Sequence, residues 1–152
     1  MHAIEATRKA PASIAGERPI TEAAALMDLL AVGALVVVEP DGRPVGIVTD
    51  RDLVTRALAR RLSPEARVDM VMTTELVTMD PDADLRDAFH IFDEHAIRRL
   101  PLVSGDRLVG MLTIDDLVVD TVADLVRLVR PVTGQVLFGH AEASPPALTG
   151  SD

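Results

Sequence analysis

The sequence predicts a mixed α/β (α+β) fold in which one β-α-β-β-α unit is built twice. Three observations predict it. The octapeptide GIVTDRDL at residues 46–53 returns as GMLTIDDL at 110–117, a shift of 64 residues. The helical pattern Ile20, Ala23, Ala24, Met27 returns 65 residues on as Leu85, Ala88, Phe89, Phe92. After each such pattern come two short apolar runs separated by a turn-rich loop. Self-similarity over a period of this length marks an architecture assembled from supersecondary units that share a core.

Taken in chain order, each copy opens on a short strand, ASIA (12–15) in the first and LVTM (76–79) in the second. The i, i+3, i+4, i+7 patterns follow, and each reads as an amphipathic helix with one buried face. The runs ALVVV (34–38) and RLPLV (99–103) read as buried strands. Their loops, EPDGRP and SGDR, carry the residues that tight turns require, and the shift drops from 65 to 64 because the first loop is one residue longer. The second long strands, VGIVT (45–49) and VGMLT (109–113), run straight into a last helix, where Leu53, Ala57 and Leu58 match Leu117, Thr121 and Val122. A unit of about 60 residues barely supports its own core, whereas two together do.

The copies are placed at 1–62 and 63–130, with 63–68 as linker and Pro64 starting a short helical turn. The pattern is expected to stop at Pro131, with GQVLFGH as an added strand or docked arm and the rest of 131–152 as a loose tail.

Composition limits the function. With 2% aromatic residues and neither Trp nor Tyr, aliphatic side chains must do the packing, and Met70, Met72 and Met79 read as core filler. No cysteine is present, which excludes disulfides, thiolate metal sites and Cys nucleophiles. The N-terminal decapeptide has no apolar signal region, and no run approaches a membrane span, so a cytoplasmic protein without membrane contact is expected. A net charge of −9 argues against nucleic-acid binding, although a local Arg cluster could hold one small anion. Of the fifteen basic residues all but Lys9 are Arg, the side chain that suits planar recognition of phosphate.

Thr49 with Asp52, and Thr113 with Asp116, have the spacing of a capping box, which is by itself a structural device. Context adds a second reading. A strand that passes through Gly46 or Gly110 into a helix N-terminus presents free N–H groups and the positive end of a helix dipole. Glycine permits close backbone approach, and a carboxylate one turn in can accept hydrogen bonds from a vicinal diol. Hydroxyl, helix end and carboxylate together suit a ribose phosphate.

These junctions resemble those of a tandem pair of CBS domains, also called a Bateman module. The family pattern G-h-h-T/S-x-x-D/N is matched by RRLPLVSGDRLVGMLTIDDL and GALVVVEPDGRPVGIVTDRDL, with Val36 standing where the family usually has the proline seen at Pro101. The resemblance covers about residues 4–129. It extends to the lead-in VDMVMTTELVTM with its Met72-Thr73 pair, which IEATRKAPASIA in the first copy lacks.

The resemblance implies two pseudo-twofold-related β-α-β-β-α repeats packed through their sheets, with clefts that hold an adenosyl ligand: AMP, ADP, ATP, NAD or S-adenosylmethionine. Carried over by position, Thr49 and Thr113 would contact phosphate, Asp52 and Asp116 the ribose hydroxyls, and Val38, Ile47, Leu102 and Met111 would wall the base. Arg51 follows Asp50 in the first copy whereas Asp115 follows Ile114 in the second, an asymmetry that either favours one cleft for phosphate or marks an exposed Arg on a helix's first turn. Arg98 and Arg99 precede the Pro101 strand, where they either reach a phosphate or stand solvated at the strand's start.

No catalytic constellation can be assembled from the sequence, and none is expected. His90 and His95 are five apart and do not share a helix face as a metal pair would, so no metal site and no required cofactor are expected. Two functions remain open. One is a regulatory sensor of an adenosyl nucleotide, acting on an unidentified partner protein; the other is a non-catalytic interaction scaffold with vestigial clefts. Either is expected to be a homodimer, because Val118, Val119, Leu125, Val126, Leu128 and Val129 are apolar on too many faces for one buried side.

Overall fold

The computed structural model describes residues 1–138, with side chains described to residue 130. In order, the elements are β1 (Ser13–Ala15), α1 (Ile20–Leu30), β2 (Ala34–Val38), β3 (Pro44–Thr49), α2 (Asp50–Asp52, continuing as a π-helical stretch over Leu53–Leu58), α3 (Leu85–His95), β4 (Arg99–Ser104), β5 (Arg107–Thr113) and α4 (Ile114–Phe138). Short 3₁₀ turns at Ala3–Ala6 and Val68–Met70 precede the two copies. The chain divides into two compact units, Met1–Asp116 and Leu117–Asp152. The first contains both sheets.

In the first copy β1 pairs parallel with β2 and β2 antiparallel with β3. The second copy has the β4–β5 hairpin alone, and the expected opening strand at 76–79 shrinks to one parallel bridge, Met79 to Leu102. The cause is a single residue. In the first copy the Val36 N–H donates to Ala12 O at 2.9 Å. Pro101 occupies the matching position and has no N–H to give, so only Met79 N–H to Pro101 O and Val103 N–H to Met79 O remain.

The helical patterns are present, with a narrower buried stripe than the pattern suggests. Ala23 and Met27 are buried in α1, and Ala88 and Phe92 in α3, while Ala24 and Phe89 face outward. Adjacent residues are about 100° apart around a helix, so a stripe centred on Ala23 and Met27 leaves Ala24 outside it. Met79 is buried and Met70 exposed, which leaves Met70 out of the core it was expected to fill.

Each copy's core is completed by the lead-in of the other. Val68 and Val71, which precede the second copy, pack with Ile14, Leu35, Val37 and Val48 of the first. Backbone bonds hold them there: Val68 N–H to Arg18 O, Asp69 N–H to Gly16 O, and the reciprocal pair between Ile47 and Thr73. Conversely, residues 1–4 bind the second copy through Ala3 N–H to Ala83 O, Ile4 N–H to Pro81 O and Leu85 N–H to Met1 O. Both glycines of the repeated octapeptide sit under these lead-ins. A Cβ on Gly46 would stand 2.8 Å from Thr73 O, and one on Gly110 2.9 Å from Ile4 Cδ1.

Helix ends are capped in different ways. Asp84 accepts from Arg86 N–H at 2.9 Å, a bond that holds its carboxyl below the usual range. Ala31 and Ala96 end α1 and α3 with φ of 51°, a left-handed cap that glycine would adopt without strain. The helix α4 does not stop at Pro131 as expected, and no strand forms at 134–138; it runs to Phe138 over 25 residues. A proline costs a helix one hydrogen bond and a local clash, a penalty confined to one turn with intact turns before it. The expected loose tail beyond residue 138 lies outside the described residues.

Two substitutions test this packing by urea denaturation. Gly46→Ala places a methyl against the Thr73 carbonyl and is expected to lower stability by about 1–3 kcal/mol. Ala96→Gly relieves the left-handed cap and is expected to raise it by about 1 kcal/mol.

Candidate ligand-binding cleft

Both strand-to-helix junctions are built alike. Thr113 N–H and Thr113 Oγ1 donate to Asp116 Oδ2 at 2.9 and 2.7 Å, and Asp116 N–H donates back to Thr113 Oγ1 at 3.2 Å. At the first junction the same three bonds between Thr49 and Asp52 measure 2.9, 2.9 and 3.1 Å. Each threonine thus orients its aspartate, and each aspartate commits Oδ2 to the cap.

The other carboxylate oxygen distinguishes the two. Asp52 Oδ1 lies 3.5 Å from Arg56 Nε, one helical turn on. The matching position in the second copy is Asp120, so the sequence supplies no cation there. No hydrogen bond or ion pair among the described residues engages Asp116 Oδ1. Asp116 is nevertheless only 9% exposed, the buried charged residue of this region.

Asp116 lies on the wall of a cleft of about 420 Å³. Its walls come from three places: Met111, Thr113, Ile114 and Asp115 with Arg98 and Arg99 from the second copy, Ala31–Ala34 from the first, and Arg8, Lys9, Ala10 and Ala12 from the first lead-in. The volume falls in the range of small-molecule sites, roughly 300–1,000 Å³. Gly33 keeps the cleft open where side chains converge, since a Cβ there would stand 2.9 Å from Arg99 Nη2 and 3.1 Å from Asp50 Oδ2.

Thr113, Asp116, Arg98, Arg99 and Met111 therefore come together from among the residues singled out by sequence. The others lie elsewhere. Thr49, Asp52 and Arg51 form the first junction, with Arg51 exposed. Gly46 and Gly110 lie under the lead-ins, Ile47 bridges Thr73, and Val38 pairs with Pro44 at a bulge. Leu102 is fully buried opposite Gly110. Sequence reasoning missed Arg8, Lys9 and the Ala31–Gly33 wall. One signal was present: the 65-residue shift that aligns the copies sets Arg8 against Thr73 of the second lead-in. Among the described residues no three His, Asp or Glu side chains gather as a metal site.

Comparison with known proteins agrees with this construction. The CBS domain model matches twice, at residues 3–59 and 67–119. The CBS domain-containing protein YhcV of Bacillus subtilis is 40% identical over 113 residues, covering 74% of this chain and 80% of that protein. Hypoxic response protein 1 of Mycobacterium tuberculosis is 34% identical over 130 residues, 85% of each chain. Among solved structures, a CBS domain protein from Pyrobaculum aerophilum complexed with AMP is 27% identical with a TM-score of 0.70, covering 77% of this chain and 90% of that one. On the duplicated family match, the exchanged lead-ins and the two Thr–Asp junctions, this chain belongs to the CBS domain family as a tandem pair.

Proposed function

We propose that the chain is a non-catalytic regulatory module that binds an adenosyl nucleotide in the cleft beside Thr113 and Asp116. The observation that carries this reading is the uncommitted Asp116 Oδ1 on the cleft wall. A carboxylate oxygen that opens on the cleft and is held in place by its own cap is a strong acceptor for a ribose diol. The AMP complex of the Pyrobaculum aerophilum relative supports a nucleotide as ligand. Thr113 and the first turn of α4 face phosphate, and Met111 with the alanine wall faces the base.

The first junction has the same cap with a different electrostatic state. Arg56 beside Asp52 takes the oxygen that a ribose would need, so the second junction is the ligand site and the first is structural. No cofactor is required for this role. Signalling requires that the ligand bind one packing state better than another, and the apolar residues exposed along α4, among them Val118, Val122, Leu125 and Val126, offer a surface for a second copy or a regulated protein in the cytoplasm. That same surface favours the scaffold reading if the cleft proves empty of function.

Thermal denaturation with AMP, ADP, ATP, NAD and S-adenosylmethionine tests the proposal. Ligand at 100 times its Kd should stabilise the protein by about 2.7 kcal/mol. Asp116→Asn, which keeps a capping acceptor, is expected to abolish the shift, whereas Asp52→Asn retains it. No shift with any of these ligands would leave the scaffold.

A further inference from the structure

We infer that α4 pairs antiparallel with the α4 of a second copy of this chain, through a heptad seam of Val118, Val122, Leu125 and Val129. The seam lies almost wholly beyond the CBS match, which ends at residue 119, whereas the helix runs on to Phe138. The pairing does not depend on the adenosyl reading, and it commits the exposed face of α4 to one occupant.

The helix needs something to pack against. Seven of its 25 residues are valine, and it also holds Pro131 and Gly134. Residues of these types all lower helix stability, and a helix of modest propensity is held mainly by burial of an apolar face. Among the described residues Leu117 is the last buried one, and from Thr121 to Arg130 every residue is exposed. Val118, Val122, Leu125 and Val129 are 53%, 54%, 60% and 49% exposed.

Their spacing points to another helix as the partner. The four follow at steps of four, three and four, and the sequence continues with Val132 and Val136 at steps of three and four. Alternating steps average 3.5 residues, the period at which one helix keeps the same stripe against another. Val119 and Val126 flank the stripe and widen it.

Charge selects a second copy and its direction. Residues 115–124 hold four aspartates and no basic residue, whereas residues 125–138 hold Arg127 and Arg130 and no acid. A parallel copy sets like charges side by side. An antiparallel copy, with its two-fold axis near Leu125, brings the levels of Asp120 and Asp124 to those of Arg130 and Arg127. The helix dipoles then oppose one another as well. The same aspartates argue against a membrane as the apolar partner, because helices that lie on anionic lipid carry Lys and Arg on their polar face.

The chain has no cysteine, so single introduced cysteines report the geometry directly. Oxidation of Leu125→Cys should give a disulfide-linked pair of chains, since residue 125 meets its own copy at the axis. Val118→Cys should give none: the two copies of residue 118 would lie about 21 Å apart along the helices, and a disulfide needs Cα atoms within about 7 Å. Sedimentation of the full chain over a concentration series measures the strength of pairing. Leu125→Glu/Val129→Glu places carboxylates in the seam and should raise the dissociation constant for self-association at least about tenfold. Crosslinking at both cysteine positions means parallel helices and overturns the inference, as does crosslinking at neither. A monomeric parent chain, or a smaller change in the dissociation constant of a folded Glu variant, overturns it too. Should the Glu variant fail to fold, the two cysteine variants decide.

Discussion

The exchange of lead-in segments is the constraint on which the rest of the fold depends. Val68 and Val71 complete a core made by β1, β2 and β3, and Ala3 and Ile4 bond to Ala83 and Pro81 while the Ile4 side chain covers Gly110 of β5. The apolar stripe of each copy is too narrow to close its own interior. Cutting the sequence at the boundary between copies would strip each half of a segment that it needs. Gly46 and Gly110 are part of the same constraint, because the backbone or side chain of a lead-in occupies the space a Cβ would take. The cleft follows from it too: the chain that leaves the docked 3₁₀ turn carries Arg8 and Lys9 along the cleft wall on its way to β1.

A capping box normally exhausts its purpose in satisfying helix N–H groups. Here the carboxylate has two oxygens and the cap uses one. The second is a degree of freedom the fold leaves to local sequence, and the two copies use it differently. With Arg at 56 the oxygen is drawn into an ion pair within the helix; with Asp at 120 it stays available. Duplication copies the cap, and one substitution a helical turn away decides whether its second oxygen is paired.

Much of this was legible in the sequence. The 64- and 65-residue shifts locate the β2–β3 and β4–β5 hairpins and all four helices, and T-x-x-D locates both caps. The loss of the second opening strand was also encoded, since Pro101 removes the donor that Val36 supplies, but a pattern of apolar residues does not report on individual N–H groups. Helix faces were overread at Ala24 and Phe89 because hydrophobicity at i+1 mimics a wider stripe. The part of the site that escaped, Arg8 and Lys9, sits in irregular chain with no periodicity of its own. Its position is set by the docking of Ala3 and Ile4, four to six residues upstream, which spacing alone cannot express. Pro131 misled in the opposite sense, since an unfavourable residue was read as a boundary where the helix absorbs it.

Pro101 has one more consequence. A strand left without its neighbour normally carries a row of unmet donors, a template on which another chain can add itself edge to edge. Along the flank of β4 where Met79 makes its lone bridge, the residue in the middle has no donor to leave unmet, and it is fully buried. The proline that shortens the sheet also makes the shortened edge poor ground for growth, so the second copy gives up a strand without acquiring a site for aggregation.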